Sequence, residues 1–485
     1  MANRPNVVVL MSDQQRWDCS GLHGNPLNLM PHFDRLARAG THVANSFTCQ
    51  PVCGPARSAL QLGRYPTNTG VWKNGPTPDS SLPNLAGSFK AAGYNTGYVG
   101  KWHLYDFGDG DPGPVPKEAR LGYDHWLASN ILEFTSDAYR TRLYDEENTP
   151  VDLYGYRVDA CVDAGMRQIT RLARDDAPFF TFISLLEPHH QNSRDDYPAP
   201  DGGREPYEGQ WMPPDLAALS GAGTRSNAHS QIAGYYGMVK RIDDALGRLQ
   251  DLLVSLGIAE NTLLLFTSDH GCHFKTRNSE YKRSLHEASI RVPTMFSGGP
   301  FAGGGAPPEL ISHIDLPPTL LDACGIPVPE TFEGRSILPL LARRRPGPSG
   351  SGGSGGSGGS RGSRGSRASP WPEEVYIQIS EAEIGRAIRT KRWKYGVRAP
   401  GSFQTAAAFE TPTAQTMQET FLYDLYSDPH ELNNLIEFES HRELAESLRR
   451  RLLARVQATG EPVPEILPPD RIRPAEQLQI SSEEY

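Results

Sequence analysis

Before residue 345 the chain alternates two hydrophobic patterns. Short, almost wholly apolar runs at 6–11 (NVVVLM), 94–99 (YNTGYV), 179–184 (FFTFIS) and 263–268 (LLLFTS) lack the polar alternation of a half-exposed strand. They predict strands buried on both faces, as in a mostly parallel sheet. Between them lie segments of helical period. In the stretch 238–256, Val239, Ile242, Leu246, Leu249, Leu253 and Leu256 share one face, and Gly257 supplies a stop. Strand and helix patterns in this order predict an α/β fold with helices on both faces of the sheet. Near the C-terminus, 374–380 and 392–397 read as strands and 442–456 as an amphipathic helix, a smaller α+β unit.

The stretch 349–369 is almost entirely Gly, Ser and Arg. Such a composition behaves as flexible coil, with a root-mean-square span of about 25 Å. The expected organisation is therefore a catalytic domain at 1–345, a linker at 346–370 and a small C-terminal domain at 371–485. Arg361, Arg364 and Arg367 are expected to be solvated parts of the tether.

Composition narrows the function classes. Across 485 residues, 48 Lys and Arg face 57 Asp and Glu, a net charge of −9, with no long basic stripe. Nucleic acid is not the expected partner. No run approaches the roughly 20 apolar residues of a membrane helix, and the opening residues Met1–Pro5 lead directly into the first strand pattern, so a cytoplasmic location is expected. Six scattered cysteines do not make a disulfide scaffold, and thiols are expected.

A polar cluster follows each of the four apolar runs: Ser12-Asp13-Gln14, Gly100-Lys101-Trp102-His103, Glu187-Pro188-His189-His190 and Ser268-Asp269-His270-Gly271. Ligands of open parallel sheets bind beyond the carboxyl ends of the strands, so the clusters should converge on one crevice. A single such aspartate is ordinarily a helix cap or turn former; four clusters at equivalent ends point to a site. Asp13, Asp269 and His270 offer oxygen and imidazole ligands for a divalent cation, and Gln14 an amide oxygen. Ca²⁺, Mg²⁺ or Mn²⁺ suits this set better than structural zinc.

In the segment 51–64 (PVCGPARSALQLGR), Pro55 falls in the first turn of a helix ending at Gly63. Cys53 then lies at the helix N-terminus, with Arg57 one turn on. Two readings stay open on this segment alone, a thiolate nucleophile and a buried cysteine beside a structural arginine. Trp72, Trp102, Tyr105, Asn192, His273, Arg277 and His286 can equally line a substrate pocket or simply pack, whereas Cys19, Cys161 and Cys324 read as inert core thiols.

Cys53-Gly-Pro-Ala-Arg57 followed by Leu62-Gly63-Arg64 resembles the C-x-P-x-R…GR signature of the type I, formylglycine-dependent sulfatases of the alkaline phosphatase superfamily. Met30-Pro31-His32-Phe33-Asp34-Arg35-Leu36-Ala37, Gly100-Lys-Trp-His-Leu104, Ser268-Asp-His-Gly271, Lys282-x4-Glu287-x3-Arg291-Val-Pro293 and Phe421-Leu-Tyr-Asp-Leu425 with Asp428-Pro429 and Asn434-Leu435 are similar to further family motifs in the same order. The resemblance implies an alkaline-phosphatase-like fold and hydrolysis of a sulfate ester to alcohol and inorganic sulfate.

It further implies that Cys53 is oxidised by a formylglycine-generating enzyme, and that the formylglycine hydrate attacks sulfur. Asp13, Gln14, Asp269, His270 and residue 53 would hold the divalent metal, Ca²⁺ first among the options. Arg57 and Lys101 would stabilise the hydrate, Lys282 would neutralise the sulfate, and His103 would be the base that expels it. His189 would protonate the leaving alcohol, with His190 its rival. Gln14 and His270 depart from the Asp and Asn common in sulfatases and resemble phosphonate monoester and phosphodiester hydrolases of the same superfamily, the alternative reading. Lys101 and His103 favour the sulfatase. The alcohol portion, a small molecule or a saccharide, would be chosen by loops at 105–150 and 190–230.

Overall fold

The computed structural model describes residues 4–221, 224–303, 305–342 and 370–474. Along the first part of the chain run β1 (Asn6–Ser12), β2 (Thr41–His42), β3 (Ser46–Phe47), β4 (Asn95–Lys101), β5 (His125–Ser129), β6 (Arg140–Tyr144), β7 (Pro150–Tyr154), β8 (Phe179–Ser184), β9 (Thr262–Ser268), β10 (Met295–Ser297) and β11 (Ile311–Ser312). Nine of them form one sheet in the order β2-β10-β9-β1-β8-β4-β5-β6-β7, while β3 and β11 pair separately. The five central strands are mutually parallel, and antiparallel strands finish both edges.

The four apolar runs are the strands β1, β4, β8 and β9, with burial along almost their whole length. Val8 and Leu10 point into one core with the helices Arg157–Leu172 and Ala228–Ser255. Val7, Val9 and Met11 point into the other with the helices Leu85–Ala91 and Leu316–Ala323. Two apolar faces are why these strands carry no polar alternation. Their register sets Ser12 beside Ser268, Met11 beside Ser184, and Gly100 beside Ser184, so the clusters after them emerge along one edge.

The long helix begins at Ala228, ten residues before the start read from periodicity. Its first turns carry Gly234 and Gly237, each costing about 1 kcal/mol of helix propensity. A Cβ at Gly234 would lie 2.3 Å from the Tyr197 carbonyl oxygen, and one at Gly237 would lie 2.4 Å from that of Gly203. The glycines admit a crossing segment, and tertiary packing carries the helix through them.

The C-terminal part forms a separate five-stranded sheet, β12 (Glu374–Ile379), β13 (Gly385–Thr390), β14 (Trp393–Arg398), β15 (Thr416–Asp424) and β16 (Glu465–Leu467), backed by the helix Arg442–Ala458. Sequence pattern yields two of these strands. β13 escapes because its buried positions include Arg386 and Arg389, which pair with Glu461 and Glu287 far away in the chain. The linker expectation at 346–370 lies, Pro370 apart, outside the described residues. No helix among those described is long and apolar enough to cross a membrane.

Candidate active site

Cys53 opens the helix Cys53–Leu62, which is buried throughout and is closed by Gly63 at φ 64°. Chain reversal there needs the left-handed region, which glycine enters without strain. The Cys53 Sγ is 2.9 Å from Lys282 Nζ, 3.4 Å from His270 Nε2, 3.6 Å from Asp13 Oδ1 and 3.8 Å from Lys101 Nζ. The His103 and His189 side chains lie beside it. Burial pushes the thiol up, but Lys101 and Lys282 overcome this and hold it well below the ordinary thiol range.

Asp13, Cys53, Asp269 and His270 form a fully buried group whose ligand atoms lie within 4.8 Å of one another. His270 Nδ1 faces the Gly271 carbonyl oxygen at 3.0 Å, so it carries the proton, and the Nε2 lone pair faces Asp13 Oδ1 at 3.6 Å and Asp269 Oδ1 at 3.5 Å. The Gln14 and His270 backbone N–H groups donate to Asp269 Oδ1 at 3.0 and 2.9 Å, but no N–H meets the His270 lone pair, which faces two carboxylate oxygens, an arrangement that a cation there relieves. Gln14, at φ 67°, adds to this: its Nε2 donates to Tyr197 Oη at 3.1 Å and Cys272 Sγ at 3.5 Å, while Oε1 is buried without a partner. The donor set of carboxylate, amide and imidazole thus fits a divalent cation. Burial and Asp13 push Asp269 up to about 6. Burial and Cys53 act on Asp13 in the same sense, but Lys101, His189 and Lys282 hold it well below the carboxylate range.

The two cations behind the cysteine serve these acids. Arg57 Nη2 lies 2.9 Å from Asp13 Oδ2 and 3.1 Å from Asp269 Oδ2; its Nη1 donates to Ser184 Oγ at 2.6 Å and the Lys101 carbonyl at 2.9 Å. Arg57 is thereby brought to the aspartates rather than to the sulfur. Lys101 Nζ bridges Asp13 Oδ2 at 2.8 Å and Glu133 Oε1 at 3.1 Å. Burial raises Glu133, yet Lys101, His103 and His189 bring it down to about 2. Glu133, Ser184, Asn74 and Tyr197 have no signal in the sequence, since each is an isolated polar residue outside the motifs.

The histidines separate. His189 Nδ1 is 2.7 Å from the His190 carbonyl oxygen and so carries the proton, which leaves Nε2 to accept from Lys282 Nζ at 3.0 Å. His190 stacks on His189 and lies tilted against Tyr281, with its Nδ1 buried and unpartnered. His103 adopts φ 60°, its backbone N–H held by the Asn130 carbonyl, and its Nδ1 is buried without a partner.

Of the residues weighed as pocket lining, Trp102 packs wholly within the core among Tyr98, Tyr123 and Trp126. His273 hydrogen-bonds the Lys282 carbonyl, Arg277 the carbonyls of His430 and Glu431, and His286 Tyr423 Oη, so these three brace the Lys282 loop. Trp72 and Tyr105 are half-buried and Asn192 is exposed. Cys19, Cys161 and Cys324 are buried free thiols whose ionisation burial pushes up, to about 12 for Cys161 and about 11 for Cys324.

The sulfatase family profile matches residues 5–326. An ulvan-active sulfatase of Formosa agariphila is 31% identical over 464 residues, covering 93% of this chain and 81% of the relative. Among solved structures, a YidJ sulfatase from Bacteroides fragilis shares the fold with a TM-score of 0.77 and 23% identity, covering 96% of this chain and 97% of that one. Another, solved in complex with its substrate D-glucosamine-2-N,6-O-disulfate, gives a TM-score of 0.70 at 19% identity, covering 94% and 98%.

Proposed function

From the premise that the chain belongs to the sulfatase family and hydrolyses sulfate esters, we propose that its substrate is a sulfated saccharide, that Cys53 works as formylglycine, and that Asp13, Gln14, Asp269 and His270 hold a divalent cation, Ca²⁺ by preference. The observation that carries the reading is the meeting, at one buried helix start, of Cys53 Sγ with Lys282, His270, Asp13 and Lys101 within 3.8 Å. The substrates named for the ulvan-active relative and the glucosamine disulfate complex support the saccharide. Six free thiols support a cytoplasmic compartment, where a formylglycine-generating enzyme would modify the chain. Residues 1–345 carry the chemistry in this reading, residues 346–370 link, and residues 371–485 brace the site.

Once in place, the formylglycine hydrate supplies a nucleophilic hydroxyl and the cation a Lewis acid for the sulfate oxygens. The chain's own groups do the rest. Lys282 Nζ, 2.9 Å from the residue 53 side chain, neutralises charge gathering on the sulfuryl group. His189, its Nδ1–H held by the His190 carbonyl, gives the departing alcohol oxygen the Nε2 proton of its imidazolium form. His103 takes the proton whose loss releases sulfate. Arg57 and Lys101 act through Asp13 and Asp269, which they hold ionised and oriented. Burial of the whole group excludes water other than the one consumed, so ester and water give alcohol and hydrogen sulfate.

The test pairs the intact mass of the residue 53 peptide with a substrate panel. Formylglycine lowers that peptide by about 18 Da from the thiol. Sulfated mono- and oligosaccharides should be turned over faster than aryl sulfates, and much faster than phosphonate monoesters or phosphodiesters. Full activity with an unmodified Cys53, or a preference for the phosphonates, overturns the reading.

A further inference from the structure

The loop that delivers Lys282, residues 273–286, contains neither helix nor strand. Its position is imposed from outside, and much of the imposing comes from the C-terminal sheet. We propose that Glu381, in the turn between β12 and β13, is a positioning residue for sulfate-ester cleavage. One carboxylate oxygen fixes the start of the residue 53 helix, and the other fixes the arginine beside Lys282. The inference rests on the roles of residue 53 and Lys282 proposed above.

Glu381 is 4% exposed and stands at φ 65°. The Ala382 N–H donates to the Ser380 carbonyl at 2.7 Å, closing a three-residue turn with Glu381 at its centre. A positive-φ turn of this kind is strained for any residue with a Cβ and persists where the surroundings over-determine it. What determines it here are contacts to the other part of the molecule. Oε1 accepts the Asn74 N–H at 2.5 Å, and Asn74 Oδ1 in turn accepts the Gly54 N–H at 2.9 Å, one residue after Cys53. Oε2 ion-pairs with Arg283 Nη2 at 2.5 Å, and the Arg283 N–H reaches the Pro51 carbonyl at 3.3 Å, two residues before Cys53.

The strand leading into the turn runs along the same segment. The Gln378 N–H donates to the Cys49 carbonyl at 2.8 Å, and Ser380 Oγ accepts from Gln50 Nε2 at 2.6 Å. Glu383 and Glu461, by contrast, pair with Arg398 and Arg386 inside the C-terminal sheet. Glu381 therefore joins two chain segments that have no regular structure in common and whose side chains must meet at 2.9 Å. Hydrogen bonds in series polarise one another, so the chain from Glu381 through Asn74 to Gly54 holds the helix start more firmly than either bond alone. A misplacement of about 1 Å between reacting groups costs about 10²-fold in rate.

The test compares Glu381→Gln, Glu381→Ala and the control Glu383→Gln, in the full chain, by hydrogen-exchange mass spectrometry and by kcat and KM for 4-nitrophenyl sulfate. Glu381→Ala should speed exchange in both 50–75 and 277–285 while β13–β15 stay protected, and lower kcat about 10²-fold with KM within about threefold. Glu381→Gln retains an acceptor for Asn74 and loses the charge facing Arg283, so it should loosen 277–285 alone. Glu383→Gln should do neither. Unchanged exchange in both segments, or loosening spread over the C-terminal sheet with a fallen Tm, overturns the inference. If the unmutated protein releases no nitrophenol, the exchange data decide alone; if Cys53→Ala retains turnover, the residue 53 reading fails while the Glu381 coupling stands or falls on exchange.

Discussion

Replacing Lys282 by Met removes a buried ammonium while keeping most of the side-chain volume, so the effect is electrostatic rather than a cavity. Its Nζ lies 2.9 Å from the residue 53 side chain and 3.0 Å from His189 Nε2. At about 3 Å and an effective dielectric of about 20, a full charge pair is worth roughly 5.5 kcal/mol. The sulfate is already anionic in the ground state, so only the charge gained at the transition state counts. Taking about half of the pair gives ~2.8 kcal/mol, a loss of about 10²-fold in the first cleavage. A second consequence carries a sign. Burial and then Lys282 hold the His189 imidazolium below its usual range. Removing the ammonium raises that pKa, so a proton donor that is lost as pH rises is kept longer, and the alkaline limb of kcat/KM moves to higher pH. Single-turnover stopped-flow kinetics on a chromogenic aryl sulfate, repeated across pH, measures both. A first-cleavage rate within threefold of the parent, or an alkaline limb displaced to lower pH, refutes the reasoning.

His103→Ala should release about one equivalent of alcohol per site and then stall, with about 80 Da added to the residue 53 peptide; a slow reaction with no burst and no adduct removes His103 from the second half of the reaction. Gly100→Ala should be among the most damaging single changes: at φ 104° its Cβ would lie 1.9 Å from the Ser184 carbonyl oxygen, so β4 and β8 must separate. A cost of at least about 4 kcal/mol follows, read as lost soluble yield or a Tm lower by about 4 °C or more. Dialysis against a chelator should abolish turnover and lower Tm, because the carboxylate oxygens of Asp13 and Asp269 then face the His270 lone pair with no cation between them, and Ca²⁺ should restore both. Full turnover after chelation would contradict the metal reading.

Local chemistry made much of this protein legible along the chain. An apolar run buried on both faces is a property of six or seven consecutive residues, so β1, β4, β8 and β9 were readable, as were the polar clusters that each must project beyond its carboxyl end. The helix after Cys53 was readable too, because Pro55 and Gly63 act on their own backbone. What stayed hidden has partners remote in sequence. Glu133 meets Lys101, 32 residues away, and Arg57 meets Ser184 across 127. Glu381 meets Asn74 across 307 residues. A carboxylate that will be buried against a lysine looks, in sequence, the same as one that will be solvated. For the same reason β13, with arginines in its buried register, carries no strand pattern in the sequence. Desolvation decides what such a charge does, and only the assembled fold sets which charges are taken out of water together.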